Sequence, residues 1–157
     1  VAIACGWFLV YGFGEQVLIS GNSMQPQISA QDVVLMNRII YVTGTPDRFD
    51  VVVFEREDGK KNVKRIIGLP GETVQIRDNR VYINGEPLKE DKMGEVSLAG
   101  RAADPVRLGE KEYFLLGDNR GSSEDSRFPN IGNVKREQIL GKAWFRMLPM
   151  LNLGFVS

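Results

Sequence analysis

The 157-residue chain contains no histidine. That absence excludes Ser-His and Cys-His catalytic pairs, histidine-bearing metal sites and the usual acid/base group near neutral pH. There is a single cysteine, Cys5, inside an uncharged apolar run. No intrachain disulfide or thiolate cluster can form from one thiol, and nothing around Cys5 marks a nucleophile. Neither a metal nor a cofactor is expected. The chain also lacks net charge, since Lys+Arg and Asp+Glu are both 20. Without a basic footprint, a nucleic-acid partner is not expected. Finally, it lacks a full apolar span: "VAIACGWFLVYGFG", residues 1–14, is free of charge, whereas a crossing helix needs about 20 apolar residues. Because the sequence opens on Val rather than Met, the run reads as part of a membrane anchor, assigned to residues 1–18. A buried core helix is the plainer alternative. A cleavable signal peptide fits less well, because no A-x-A site follows the run.

What is present is a chain 43% hydrophobic, enough for one core with a small appended lobe. Val, Ile, Phe and Tyr dominate the segments "DVVLMNRII" (residues 32–40), "FDVVVFERE" (49–57), "NVKRIIGL" (62–69), "ETVQIRDNRVYINGEPL" (72–88), "EYFLLGD" (112–118) and "QILGKAWFRML" (138–148). Turn pairs divide them: Asp58-Gly59, Pro70-Gly71, Asp78-Asn79 and Asn84-Gly85. The pattern predicts a mostly β protein, with a two-residue hairpin at Asn84-Gly85. Residues 89–111 are polar, Gly-rich and aperiodic, and are expected to form a loop-rich excursion.

With histidine gone, a serine nucleophile needs another base, and lysine is the known alternative. Lysine titrates near ~10.4 in water, and acting as a base near neutrality requires a drop of ~2 to 3 units, roughly 3 to 4 kcal/mol. In "NVKRIIGLPG", strand alternation puts Lys64 with Ile66, and Arg65 with Val63 and Ile67. The pattern does not say which face is the core. Arginine stays protonated and cannot be the base, which favours Lys64; an edge strand with both cations in solvent is the alternative. "GDNRGSSEDSR", residues 117–127, concentrates hydroxyls and carboxylates after an apolar strand. Ser123 there could orient a lysine amine, and Asp118, Arg120, Asp125 and Arg127 could brace the loop as ion pairs; an ordinary polar turn is the alternative. Ser23, in "ISGNSMQPQI", is either a nucleophile or a turn residue.

Taken in series, these segments resemble bacterial type I signal peptidases, membrane-anchored Ser/Lys endopeptidases. "GNSMQP" is similar to the family's nucleophile box, "QDVVLMNRI" to its next strand, "DVVVF" with "VKRIIGLPGE" to its lysine box, and "LLGDNRGSSEDSR" to its final box. The resemblance implies an antiparallel β-sheet catalytic domain (residues 19–72 and 112–157), a small inserted β-rich cap (73–111) and an N-terminal transmembrane anchor segment (1–18). It implies Ser23 as nucleophile, Lys64 as general base, Ser123 as the hydroxyl that orients the amine, and Asp118, Asp125, Arg127, Arg65 and Arg120 as supports. Ile19, Ser20, Met24, Ile28 and Val63 would line shallow pockets for small residues at −1 and −3 of an Ala-x-Ala site. The Ser23 N–H would supply one oxyanion donor. Some members carry a second on a serine two positions earlier; here that position is Gly21, a departure, as is the longer "FPNIGNV" turn after Arg127. The implied partners are preprotein signal peptides and a lipid membrane, with the catalytic domain on the extracytoplasmic side of the bacterial cytoplasmic membrane. Two rivals share some of these features: a self-cleaving repressor-type Ser/Lys protease, and a non-catalytic membrane-tethered β-module that binds peptides.

Overall fold

The computed structural model describes residues 2–157; Val1, the first residue of the predicted anchor, lies outside them. The uncharged run forms helix α1 (Ala2–Phe13). At 12 residues it rises about 18 Å, against an apolar bilayer core of about 30 Å, and no helix among the described residues is long and apolar enough to cross a membrane. The anchor expected over residues 1–18 also ends early, because Glu15–Leu18 form strand β1. Val17 and Ile19 turn inward while Gln16 and Leu18 face out, the alternation of a strand at the rim of a sheet.

Strand β2 (Val33–Asn37) pairs antiparallel with β1, Glu15 opposite Met36. The segment expected to continue as strand through Ile40 instead bends at Arg38 into a short helix, α2 (Ile40–Thr43), whose Ile40 N–H is capped by Asn37 Oδ1. Strand β3 (Val51–Glu55) and strand β4 (Lys61–Gly68) form a hairpin in which Val52 faces Lys64 and Val51 faces Arg65. Four strands then make a separate small sheet: β5 (Thr73–Arg77), β6 (Arg80–Ile83), β7 (Glu86–Pro87) and β8 (Val106–Arg107). The predicted hairpin is present, with Asn84 and Gly85 both at positive φ, and Asp78-Asn79 makes a second tight turn with the same signature. Residues 89–111 are less irregular than expected, since they hold β8 and a 3₁₀ turn at Gly100–Ala103.

The chain returns to the large sheet through β9 (Glu112–Leu116), β10 (Val134–Lys135), β11 (Ile139–Leu148) and β12 (Gly154–Phe155). The order is β1-β2-β11-β3-β4-β9-β10, with β12 beside β11. Every strand pair, in both sheets, is antiparallel. Apolar burial ties the pieces together. Met24 and Ile28 pack with Val34, Met36, Val51, Val53 and Val63. Ile67, Phe114 and Leu116 of the large sheet share a second cluster with Val74, Ile76 and Val106 of the small one.

Candidate active site

Strand β4 is interior, with β3 on one side and β9 on the other from Arg65 onward. Its two faces both meet core: Val63 and Ile67 enter two clusters, Ile66 a third. Neither cation therefore reaches solvent; Lys64 is 3% exposed and Arg65 2%. The edge-strand alternative is overturned by this placement.

Every nitrogen of the Arg65 guanidinium has an acceptor. Nε and Nη2 donate to Asp118 at 2.7 Å each, Nη1 to the Phe49 carbonyl, and Nη2 also to Gln27 Oε1. Lys64 differs. Its Nζ donates to Ser23 Oγ at 2.7 Å and to the Val63 carbonyl at 3.1 Å, and no carboxylate among the described residues lies at hydrogen-bond distance from it. Burial pushes the amine down to about 8, opposed by Asp125, Glu124 and Asp118 and assisted by the nearby Arg56 cation. The desolvation of an ammonium outweighs its distant counter-charges here.

Ser23 is held by the neck and floor of its loop. The Ile19 N–H donates to the Asp32 carbonyl and the Gln31 N–H to the Ile19 carbonyl, closing residues 19–32 at their base. Inside, Asn22 accepts from the Gln25 N–H and, through Oδ1, from the Gln25 side chain, while the buried Met24 and Ile28 root the loop in the core. Across the site, the Asn119 N–H donates to the Ser23 carbonyl at 2.9 Å and its side chain to the Asn22 carbonyl. The Ser23 N–H has no acceptor among the described residues.

The loop 117–127 is braced by ions, though not by the internal pairs alone. Asp125 takes both Nε and Nη2 of Arg127, and its Oδ2 also caps the Gly117 N–H. Asp118 pairs with Arg65 rather than with an arginine of its own loop. Arg120 reaches out to Asp91, in the excursion between β7 and β8. Gly117 is required where it stands: a Cβ there would lie 2.1 Å from Ser123 Oγ and 2.5 Å from the Ser23 carbonyl oxygen. Ser123 itself is buried beside the site, but the expected bond to Lys64 is not formed, and its hydroxyl has no hydrogen-bond partner among the described residues. Lys64 spends its two contacts on Ser23 and its own strand neighbour instead.

Beside Ser23 and Lys64 is a small cleft of ≈ 30 Å³, with residues 17–20 on one wall and Lys61, Asn62 and Val63 on the other. Ile19, Ser20, Met24 and Val63 border it. Ile28 does not; it lies wholly inside the core, its N–H bonded to the Met24 carbonyl. Gly21 is exposed at φ +97°, where it carries no hydroxyl toward the cleft. The sequence reading missed Asn119, Gln27 and Asp91. The first lies in the "GDNR" stretch, but neither Gln27 nor Asp91 has a local signal; each is found only through its arginine.

Comparison with known proteins gives a consistent result. The family described as "Signal peptidase, peptidase S26" matches residues 1–148. The chain is 37% identical over 149 residues to signal peptidase I of Leptolyngbya laminosa, covering 89% of this chain and 71% of that one. It is 34% identical over 160 residues to signal peptidase I T of Bacillus subtilis, covering 95% and 81%. A crystal structure of a signal peptidase I from Enterococcus faecalis superposes with a TM-score of 0.54 at 35% identity, over 63% of this chain and 97% of that one.

Proposed function

The chain belongs to the signal peptidase family, peptidase S26, and is a serine endopeptidase that removes signal peptides; we propose that it does so with Ser23 as nucleophile and Lys64 as general base. The observation that carries this reading is the 2.7 Å approach of Lys64 Nζ to Ser23 Oγ at a site where the amine is buried without a carboxylate. With the amine pushed down to about 8, roughly one molecule in ten holds it neutral at pH 7, against about 3 in 10,000 for an unperturbed lysine.

Neutral Lys64 takes the Ser23 proton as Oγ attacks the scissile carbonyl. The free Ser23 N–H receives the developing oxyanion. The ammonium then gives its proton to the leaving amine, and the signal peptide remains as an acyl-Ser23 ester. Lys64, neutral again, draws a proton from water, whose oxygen attacks the ester; the acyl–Oγ bond then breaks, Lys64 returns the proton to Ser23 Oγ, and the signal peptide leaves with a new C-terminal carboxyl group. Gly21 supplies no hydroxyl, so a second oxyanion donor has to come from backbone or water. Ser123, whose buried hydroxyl beside Gly117 has no partner among the described residues, is the group assigned to orient the Lys64 amine once substrate is bound. Asp118, Asp125, Arg65, Arg120 and Arg127 hold the frame.

The cleft also supports an extended substrate. Strand β1 pairs only with β2, and residues 61–64 of β4 pair only with β3, so both present unpaired backbone to one cleft. A peptide laid between them satisfies both edges, while Ile19, Met24 and Val63 leave room for alanine-sized side chains at −1 and −3. Residues 73–111 form the cap in this scheme, and 19–72 with 112–157 the catalytic domain. Helix α1, with Ile3, Trp7, Phe8, Leu9 and Val10 exposed, is the attachment to a bilayer, with catalysis on the extracytoplasmic side of the bacterial cytoplasmic membrane.

The test is cleavage of a preprotein in detergent. Wild type should release product ending after Ala-x-Ala, with kcat/KM rising through about pH 8, and Ser23→Ala and Lys64→Ala should each lose at least ~10³-fold. Cleavage surviving Ser23→Ala would remove the nucleophile assignment. Binding without turnover by every form would favour a non-catalytic peptide-binding module.

A further inference from the structure

Arg120 is a buried guanidinium, 5% exposed, whose charge is met from outside its own loop. Its Nη1 and Nη2 donate to Asp91 Oδ2 and Oδ1 at 2.8 Å each, a bidentate pair across 29 residues of sequence. Both side chains are nearly closed to solvent, at 4% and 7%. The remaining donor, Nε, goes to the Gly117 carbonyl at 3.0 Å. Gly117 is the peptide on which the site rests: its N–H is taken by Asp125, and its Cα leaves no room for a Cβ between Ser123 Oγ and the Ser23 carbonyl.

The excursion that bears Asp91 grips the same loop at two more points. Arg127 Nη1 donates to the Leu98 carbonyl, and the Arg101 N–H to the Arg127 carbonyl. Gly100 lets that second contact form, since a Cβ on it would sit 2.4 Å from the Arg127 carbonyl oxygen.

We propose that Asp91, which lies outside every catalytic motif, is a positioning residue of the proteolytic site, acting through Arg120 on the Gly117 peptide that seats Ser23 and Ser123. With Asn in its place, the buried Arg120 charge loses its counter-ion and one N–H its acceptor, while an amide NH2 is turned toward the cation. The buried acids of the arginine's own loop, Asp118 and Asp125, are already engaged with Arg65 and Arg127. Competition for them pulls on the frame around Lys64, and a small displacement of a nucleophile from its base is costly in rate. Asp91 touches neither wall of the substrate cleft, so its effect belongs in the chemical step.

This inference rests on Ser23 and Lys64 being the reacting pair, and the experiment separates the two. Preprotein cleavage in detergent is followed at 25 °C for wild type, Ser23→Ala, Asp91→Asn, Asp104→Asn and the double variant Asp91→Asn/Arg120→Gln, with a thermal melt of each. Asp91→Asn is expected to lower kcat on the order of 10²-fold with KM changed less than about twofold. Asp104→Asn, an exposed acid of the same excursion, should match wild type. The double variant leaves no unpaired buried charge and should fold even where the single one does not. It is expected to stay as slow as Asp91→Asn, because neither restores the hold on Gly117. Recovery of wild-type kcat in the double variant, or a loss in Asp91→Asn that follows only its folded fraction, would overturn the proposal. An active Ser23→Ala would instead overturn the site assignment on which it depends.

Discussion

Two neighbouring regions of this molecule treat buried charge in opposite ways. In the loop 117–127 each buried ion has a partner at hydrogen-bond distance: Asp118 with Arg65, Arg120 with Asp91, Asp125 with Arg127. One residue before Arg65 on the same strand, Lys64 is as deeply buried and meets only a hydroxyl and a carbonyl. Paired ions fix geometry, because each bidentate fork leaves its neighbours one arrangement. An unpaired ammonium is held in a state it would leave by losing a proton. The frame and the proposed base thus differ in two ways: the frame's cations are arginines, which keep their protons, and each has a carboxylate, whereas Lys64 can lose its proton and has none at hydrogen-bond distance.

The largest effect comes from making the frame resemble the lysine site. Arg127→Ala strips Asp125, which is 0% exposed, of its guanidinium, and breaking one side of a buried pair is expected to remove about 3 to 5 kcal/mol of stability. Urea denaturation measures it; a loss under about 1 kcal/mol would show that water enters and solvates the carboxylate.

The converse change abolishes the mismatch at Lys64. In the folded protein the amine titrates at about 8 rather than its ordinary 10.5. Between those values the unfolded chain binds more protons than the folded one, so wild-type stability rises with pH across that window. Below pH 8 the full penalty, about 3 kcal/mol, is present. Lys64→Met should accordingly be inactive yet more stable than wild type at pH 6, by up to about 3 kcal/mol, with the advantage shrinking from pH 8 and gone near 10.5. A stability difference independent of pH would contradict a depressed amine.

The smallest effect sharpens the comparison at the border between the regions. Arg56 and Glu124 form a partly exposed ion pair at 3.3 Å, and the two charges act on Lys64 in opposite senses, Arg56 downward and Glu124 upward. Arg56→Gln should move the pH–rate midpoint to higher pH and Glu124→Gln to lower pH, each by about half a unit or less and diminished by salt. Shifts of the same sign in both variants would mean that the pair matters only as a brace.

Much of this architecture was visible in the residues. The Val- and Ile-rich runs mark the strands because β-branched side chains pack well on a pleated surface, and the Asn84-Gly85 turn carries its own conformational signature. Ser23 and Lys64 carry only weak local signals, since a turn serine and a solvated strand lysine fit the same residues; it is the order of the motifs in series, resembling the signal peptidase family, that singles them out. Strand β1 was hidden because its inward Val17 and outward Leu18 are both apolar, which blurs a period of two into a continuation of the helix. The partners of the arginines were equally hidden. Arg65 finds Asp118 across 53 residues and Arg120 finds Asp91 across 29, distances over which only the folded chain decides who meets whom. Ser123 shows the limit of reading a role from a motif: the hydroxyl is in place beside the site, but its rotation is set by what surrounds it.

One clasp at the N-terminal end has a mechanical consequence. The Gly12 carbonyl accepts the Arg38 N–H at 2.8 Å, the Phe13 carbonyl accepts the Trp144 indole N–H at 2.8 Å, and Arg38 also pairs with Glu15. These bonds tie the last turn of α1 to the residue that follows β2 and to strand β11. Helix and sheet then act as a handle and its blade. A surface that holds the handle therefore also sets the tilt of the sheet whose rim strand, β1, borders the cleft.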